Sequence, residues 1–186
     1  PLLVVDDFGH TGGGEADLVL DQNLSATPTP YAEIGCATLI GPSYALLRRE
    51  FLSAQPRGRS SEPASRVLVT FGGSDPDDAT ALTLEAIATL PGLEVDVLLG
   101  ASNPRRAAIE ALAARSASVV RVHQNVADVP RFMQSADVAI TGGGSTVWEL
   151  AYFGLPALLV VLAENQRGGA EACEQRGLAR CLGSLA

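Results

Sequence analysis

From residue 66 onward, short apolar runs alternate with stretches in which apolar residues recur at helical spacing. The apolar runs, of a length typical of buried strands, occupy residues 67–71, 95–99, 119–122, 138–141 and 157–161. The stretches with helical spacing occupy residues 77–90, 104–115, 126–134 and 145–153. Repeated strand–helix–strand units are right-handed and place successive strands parallel. The pattern therefore predicts an α/β fold, a Rossmann-like parallel sheet with helices on both faces.

The first part of the chain, residues 1–52, predicts the end of a preceding α/β domain, with strands at residues 2–5, 18–20 and 38–40. Residues 53–65 are rich in Ser, Pro, Gly and Arg without apolar periodicity, which indicates a linker. Residues 66–186 then form the second domain, ending in a helix from residue 168 and a short strand, without a closing helix. Because a natural protein rarely opens on a bare apolar strand, we expect further sequence upstream.

Composition excludes several classes of function. The net charge is −8 and no Lys/Arg run offsets it, so nucleic acid is not an expected partner. The apolar runs are far shorter than the ~20 residues of a membrane span. Three cysteines, Cys36, Cys173 and Cys181, show no metal-ligand or disulfide spacing. We therefore expect a soluble, cytoplasmic protein with no metal, no cofactor and no membrane span.

The strongest motif is a run of glycines directly after a predicted strand and at the start of a predicted helix. Gly143 and Gly144 would let a ligand approach the backbone, and the first helical N–H groups attract a diphosphate. Ser145 or Thr146 would donate to a phosphate oxygen or cap the helix, while Glu149, one turn further, would bind ribose hydroxyls. The alternative is a tight turn capped by serine. No Gly-Lys-Ser/Thr follows, so this is not a Walker A loop.

A second glycine-rich loop, with Gly72, Gly73 and Ser74, follows the first strand of the same predicted sheet. Ligands of open α/β folds bind at the carboxyl ends of the strands, where this loop would lie. The alternative is a glycine-rich turn in which Asp or Ser caps the next helix. Two such loops in one sheet favour a phosphate ligand.

Polar amides follow the strand that ends near Leu162. Asn165 and Gln166 would hydrogen-bond a sugar or a phosphate at the same edge of the sheet, and ordinary helix capping by Asn165 is the alternative. Arg105, in contrast, is interpreted as part of a solvated helix face.

The histidines and paired acids are weaker candidates. His10 lies in a glycine-rich loop without a visible orienting partner, and His123 ends a predicted strand where it would line a base pocket. Neither accompanies a Ser or Cys nucleophile motif, so a non-catalytic role is the simpler interpretation. Asp6, with Asp7 beside it, and Asp21 follow strands of the first part. Paired carboxylates can serve as acid and base or as metal ligands, but without a further His or Asp at suitable spacing turn and capping roles are favoured.

Six motifs in order along the chain resemble one enzyme family. They are L-D-Q-N at 20–23, G-P-x-Y-A-L-L-R-x-E-F at 41–51, F-G-G-S-D-P-D at 71–77, G-A-S-N-P at 100–104, G-G-G-S-T-x-W-E at 142–149 and N-Q at 165–166. The set resembles the UDP-2,4-diacetamido-2,4,6-trideoxy-β-L-altropyranose hydrolases of pseudaminic acid biosynthesis. That family is related to spore-coat polysaccharide proteins and to a GT-B glycosyltransferase.

The resemblance implies a GT-B-like fold of two Rossmann-like domains, in which the C-terminal domain binds the UDP of a UDP-sugar. It implies a diphosphate and ribose site at Gly143, Gly144, Ser145, Thr146 and Glu149. It also implies uracil contacts at Gln124, Asn125 and Val126, and contact with the sugar at Asn165. The implied reaction is metal-independent attack of water on the anomeric carbon, which releases UDP and an amino sugar.

One departure from the family concerns the general base. The family has an N-terminal G-x-G-H-x-x-R segment whose histidine activates water, and this sequence lacks it. We do not transfer that role to His10, which stays a weak candidate. Two alternatives are a glycosyltransferase of the same architecture, in which an acceptor replaces water, and a non-catalytic nucleotide-sugar binding module.

Overall fold

The computed structural model describes residues 1–6, 15–56 and 63–185, which form two compact units, Pro1–Arg48 and Arg49–Ala186. The first unit contains three parallel strands in the order β1-β2-β3. These are β1 (Leu3–Val5), β2 (Leu18–Asp21) and β3 (Ala37–Ile40). The three strands predicted for this part of the chain are thus confirmed. Two short 3-10 turns, Thr29–Tyr31 and Pro42–Tyr44, complete the unit.

The second unit is a six-stranded parallel sheet in the order β6-β5-β4-β7-β8-β9. Its strands are β4 (Arg66–Thr70), β5 (Glu94–Leu99), β6 (Val119–Gln124), β7 (Val138–Gly142), β8 (Ala157–Val161) and β9 (Ala179–Ser184). Its helices are α1 (Arg49–Leu52), α2 (Ala79–Ile87), α3 (Arg106–Ala113), α4 (Val129–Ser135), α5 (Thr146–Phe153) and α6 (Glu164–Gln175).

The core of the second unit covers both faces of this sheet. Leu68 and Val69 are successive residues of β4 that point to opposite faces, and both have an exposed fraction of 0%. A parallel strand buried on both faces reads as a continuous apolar run, which is how β4 was predicted. The predicted α/β fold, a parallel sheet with helices on both faces, is confirmed.

Two boundaries differ from the sequence-based expectation. α6 begins at Glu164 rather than at residue 168, because its first turn contains no apolar residue from which a period can be read. An ion pair between Glu164 and Arg167, 2.9 Å apart, links that turn instead. The short helix α1 belongs to the second unit, where Phe51 is fully buried with its ring centroid 6.0 Å from that of Phe153.

The helices are short. The longest, α6, has 12 residues. Across the described parts of the chain, no helix has the length and apolar character needed to cross a membrane.

Candidate nucleotide-binding site

The two glycine-rich loops emerge side by side from the second sheet. β4 and β7 are neighbouring parallel strands, with Thr70 paired to Thr141 at their carboxyl ends. The chain runs outward from β4 to β5 and β6, and then crosses back to β7, so this is the point where the strand order reverses. Open parallel sheets bind ligands in the crevice at such a point. The structure therefore brings together the two loops that the sequence singled out.

The loop between β4 and α2 caps its own helix. Asp75 is 2% exposed, and its carboxylate accepts hydrogen bonds from the backbone N–H groups of Ala79 at 2.9 Å and Thr80 at 3.0 Å. Asp75 has a φ of 46°, a region that aspartate tolerates better than most residues. Asp75 thus supplies the acceptor for the first amides of α2, although the N-cap residue itself is Asp78, whose side chain makes no capping hydrogen bond. Gly72, Gly73 and Ser74 remain exposed at the rim of the crevice.

The loop between β7 and α5 ends differently. Ser145 occupies the N-cap position of α5, but its side chain makes no capping hydrogen bond, so the serine-cap alternative is wrong here. Within the part of the chain that the structure describes, the N–H groups of Gly144, Ser145 and Thr146 have no acceptor. Unsatisfied amides at the positive end of a helix dipole attract an anion.

The three consecutive glycines of this loop have different reasons to be glycine. A Cβ on Gly142 would lie 3.0 Å from Cδ1 of Leu162, and one on Gly143 would lie 3.2 Å from Cβ of Gln166. Both distances are shorter than ordinary van der Waals contacts, so a side chain at either position would require its neighbour to shift. A Cβ on Gly144 would meet nothing within 4 Å. Packing within the chain does not require a glycine at position 144, whereas close approach of a ligand would.

The other residues predicted to contact the ligand near this loop lie on α5 and α6. Glu149 is half-buried in the first turn of α5. Asn165 is exposed in the first turn of α6, and it does not cap that helix, whose N-cap position is Ala163. Gln166 is half-buried, and its Oε1 accepts the N–H of Leu162 at 3.1 Å. The amide of Gln166 thus fixes the chain between β8 and α6.

The predicted uracil segment follows β6, two strands away from β4. Nε2 of Gln124 donates to the carbonyl oxygen of Asn103 at 2.9 Å and to that of Gly100 at 3.3 Å. The donor end of this amide therefore supports the loop after β5. Asn125 is exposed with a φ of 55°, and Val126 is half-buried.

His123 has partners that explain it structurally. Its Nε2 lies 2.7 Å from Oδ1 of Asp96, and its ring centroid lies 4.7 Å from that of Phe132. These contacts tie β6 to β5 and α4 and support a non-catalytic role. The other histidine, His10, and Asp7 lie outside the described residues. Among the residues that are described, no group of three or more His, Cys, Asp or Glu is arranged to hold a metal ion.

Asp21 of the first unit lies in a turn in which its carboxylate is hydrogen-bonded. The carboxylate of Asp21 accepts hydrogen bonds from the hydroxyl of Tyr31 at 2.9 Å and from the backbone and side-chain nitrogens of Asn23 at 3.0 Å. Burial, together with the hydrogen bond to Asp21, raises the pKa of Tyr31 above its ordinary value. Tyr31 is buried, and its hydroxyl also lies 3.4 Å from the carbonyl oxygen of Asp6. These contacts agree with the turn role that the sequence favoured for Asp21.

Two residues of the edge were missed by the sequence-based interpretation. Arg105, expected on a solvated helix face, instead donates to the carbonyl oxygens of Asp75 at 2.7 Å and Pro76 at 3.0 Å. The hydroxyl of Ser102 donates to the carbonyl oxygen of Gly73 at 3.0 Å. Both lie in or just after the G-A-S-N-P motif, whose place in the resemblance was the only available signal.

Six parallel strands in this order, with glycine-rich turns at the switch point, define a Rossmann-like α/β unit. Residues 67–183 match the Glycosyltransferase family 28 C-terminal domain, and the chain belongs to that family. The crystal structure of Acinetobacter baumannii MurG is similar in fold, with a TM-score of 0.64 and 18% identity. That match covers 98% of this chain and 53% of MurG, and it supports a GT-B-like fold.

Two relatives are similar in sequence. The spore coat polysaccharide biosynthesis protein SpsG of Bacillus subtilis is 27% identical over 146 residues, which cover 77% of this chain and 43% of SpsG. The UDP-N-acetylglucosamine--N-acetylmuramyl-(pentapeptide) pyrophosphoryl-undecaprenol N-acetylglucosamine transferase of an Exiguobacterium species is 31% identical over 119 residues. Those residues cover 61% of this chain and 33% of the transferase.

The chain spans between 28% and 43% of the length of the curated relatives that it matches. These similarities support the coarser part of the resemblance, namely the relation to spore-coat polysaccharide proteins and to GT-B glycosyltransferases.

Proposed function

We propose that the second unit binds the UDP part of a UDP-sugar at the carboxyl edge of its sheet. The observation that carries this proposal is the set of amides on Gly144, Ser145 and Thr146 that have no acceptor in the described structure. They lie beside the loop after β4, at the switch point where ligands of this fold class bind. The open space next to Gly144 gives a diphosphate access to them.

The ligand extends along the edge of the sheet in this proposal. The diphosphate lies over the loops that follow the neighbouring strands β4 and β7. Gly72, Gly73 and Ser74 belong to the first loop, and residues 143–146 to the second. The ribose hydroxyls bind Glu149, the uracil lies toward the segment from Gln124 to Val126, and the sugar lies toward Asn165 and Gln166. β6, β4, β7 and β8 follow one another along the sheet with only β5 between the first two, which supports a single extended ligand.

Capture of the diphosphate requires no metal in this proposal. Backbone N–H groups and a helix dipole stabilise an anion without a cationic side chain. The chain has a net charge of −8, and its glycine-rich loops carry no lysine or arginine. The protein therefore supplies fixed dipoles where many phosphate sites use Lys or Mg²⁺.

The reaction that we propose is hydrolysis. Water attacks the anomeric carbon and loses a proton to a general base, the bond from that carbon to the diphosphate oxygen breaks, and UDP leaves with the electron pair. This chain's residues bind and orient UDP and stabilise its charge as it departs. The six sequence motifs, through the family that they resemble, support this reading. The general base is unassigned, with His10 as a weak candidate.

A second candidate is transfer of the sugar to an acceptor in place of water. The family match and the similarity to an N-acetylglucosamine transferase favour it. Both reactions share the same UDP site and differ in what approaches the anomeric carbon.

The test begins with UDP binding. Calorimetry of the full chain with UDP, with and without a metal chelator, should give the same affinity in both buffers. Loss of binding in the chelator would refute metal-free capture, and absence of binding in both would refute the site. UDP release from UDP-N-acetylglucosamine and from UDP-2,4-diacetamido sugars, by a full-length relative with and without an acceptor, separates hydrolysis from transfer.

A further inference from the structure

We propose that Ser102 is a positioning residue that orients the Gly73–Ser74 peptide so that the N–H of Ser74 faces the diphosphate. This inference rests on the proposed UDP site and adds a donor to it from the neighbouring loop. Ser102 itself does not touch the ligand. Its role is exerted through one backbone peptide.

The loop after β5 lies directly against the loop after β4. The Ser102 hydroxyl donates to the carbonyl oxygen of Gly73 at 3.0 Å. A Cβ on Gly100 would lie 2.2 Å from that same oxygen and 2.4 Å from Cα of Gly73, which no real side chain could do. Glycine at position 100 is therefore what allows the two loops to come close enough for the Ser102 hydrogen bond.

The direction of the Ser74 N–H follows from the geometry of the peptide bond. In a planar trans peptide, the C=O of one residue and the N–H of the next point in opposite directions. β5 lies on one side of β4 and β7 on the other. A Gly73 carbonyl held toward the loop after β5 leaves the Ser74 N–H directed toward the β7 side, where the amides of the α5 loop lie. Ser74 is exposed, and its N–H has no acceptor in the described part of the chain.

The loop that carries Ser102 is itself held in place. Gln124 donates from the end of β6 to the carbonyl oxygens of Gly100 and Asn103, which flank Ser102 on either side. Arg105 fixes the other end by donating to the carbonyl oxygens of Asp75 and Pro76. With both ends of the contact fixed, the Ser102 hydroxyl imposes a direction on the Gly73 carbonyl.

The experiment compares three variants of the full chain. Ser102→Ala removes the hydroxyl, and Ser102→Thr restores one. Ser118→Ala is the matched control. The hydroxyl of Ser118, which lies just before β6 at the opposite edge of the sheet, also donates to a loop carbonyl oxygen, that of Leu90 between α2 and β5. UDP affinity is measured by calorimetry, uridine binding by NMR titration, and folding by thermal unfolding. The Ser74 amide resonance is followed as UDP is added.

We expect Ser102→Ala to weaken UDP about three- to tenfold, the factor for one hydrogen bond, and to leave uridine binding unchanged. Ser102→Thr should stay within about twofold of the unmodified chain, and Ser118→Ala should bind UDP normally. The Ser74 amide should shift on UDP addition in the unmodified chain and less in Ser102→Ala.

Three results would overturn the inference. They are a Ser102→Ala chain that binds UDP normally, an equal loss for UDP and uridine, and a Ser74 amide that UDP does not move. If the unmodified chain does not bind UDP at all, the proposed function itself fails. That outcome is separate, because it is read before any variant is made.

Discussion

The two glycine-rich loops of the second unit follow neighbouring strands and lead into helices, yet their helix ends are satisfied in different ways. After β4, the buried carboxylate of Asp75 takes the first amides of α2. After β7, Ser145 does not cap α5, and the amides at the start of that helix have no acceptor in the described structure. The fold supplies its own anion to one helix and leaves the other open. The first amides of α2 are thus used within the protein, whereas those of α5 are available to a ligand.

The largest expected effect is a loss of stability when Asp75, in the loop between β4 and α2, is replaced. Asp75→Ala removes two hydrogen bonds to a buried carboxylate and should lower the free energy of unfolding by about 2 to 3 kcal/mol. Ser145→Ala removes a hydroxyl that caps nothing and should change it by less than about 0.5 kcal/mol. Denaturant unfolding of both variants measures the difference. Equal losses would mean that Ser145 caps α5 in solution and that the two loops are alike.

The second effect is a loss of UDP affinity when Glu149, in the first turn of α5, is replaced. Glu149→Ala should weaken UDP about tenfold or more, since a hydrogen bond to a charged group contributes about 1.5 to 3 kcal/mol. Inorganic diphosphate should bind nearly as before, because the carboxylate is proposed to contact ribose. Calorimetry with both ligands is the measurement, and Glu164→Ala, a first-turn glutamate on the next helix, is the control. Parallel losses for the two ligands would contradict the assignment to ribose.

The sequence predicts the strands and both loops because their signals are local. A strand segment buried on both faces must be apolar, as residues 67–69 of β4 are, and a turn packed closely against a helix favours glycine, as at Gly143. Which loop caps itself is not a local property. Both glycine runs are followed by hydroxyl and acidic residues, and only the left-handed backbone of Asp75 aims its carboxylate at α2.

The partners of long side chains are a second feature that the sequence does not predict. Arg105 follows a loop motif and precedes the amphipathic helix α3, a context in which arginine usually faces water. Its reach to the carbonyls of Asp75 and Pro76 depends on β4 and β5 being neighbours, which is a tertiary fact. The start of α6 was missed for a related reason, because a turn held by Glu164 and Arg167 has no apolar period.

A third prediction uses the opposite edge of the sheet, where Asp137 serves the fold as Asp75 does. Its carboxylate accepts the N–H groups of Ser65 and Arg66 and pairs with the Arg66 guanidinium at 3.1 Å. Burial alone would raise the pKa of Asp137, but the hydrogen bonds from Arg66 and Ser65 outweigh it and hold the pKa well below the ordinary value.

A depressed pKa in the folded state means that the unfolded chain binds the proton more readily. The stabilisation by Asp137 is therefore complete above the ordinary aspartate pKa of about 4 and is lost as the pH falls below it. Asp137→Asn should cost about 1 to 2 kcal/mol at pH 7, with the lower figure favoured because Arg66 is 41% exposed. The stability difference between the two chains should be smaller at pH 3 than at pH 7, because the unfolded chain takes up the proton first. A difference of the same size at both pH values would rule out the charge as its cause.

The smallest expected effect is at Gly144, the one of the three consecutive glycines where an added side chain would meet no neighbouring atom. Gly144→Ala adds a methyl group that meets no atom within 4 Å, at a residue without a positive φ, so unfolding should change by less than about 0.5 kcal/mol. If the diphosphate approaches the backbone there, the same methyl group stands in its way and the affinity for UDP should fall about fivefold.

Gly168→Ala is the matched control, because its added methyl group also meets nothing within 4 Å but lies in the interior of α6. It should raise the free energy of unfolding by about 0.5 to 1 kcal/mol through helix propensity and leave UDP binding unchanged. Calorimetry and denaturant unfolding on the three chains decide the matter. A Gly144→Ala chain that binds UDP normally would place the ligand away from the start of α5. It would contradict the proposal that the first amides of this helix bind the diphosphate.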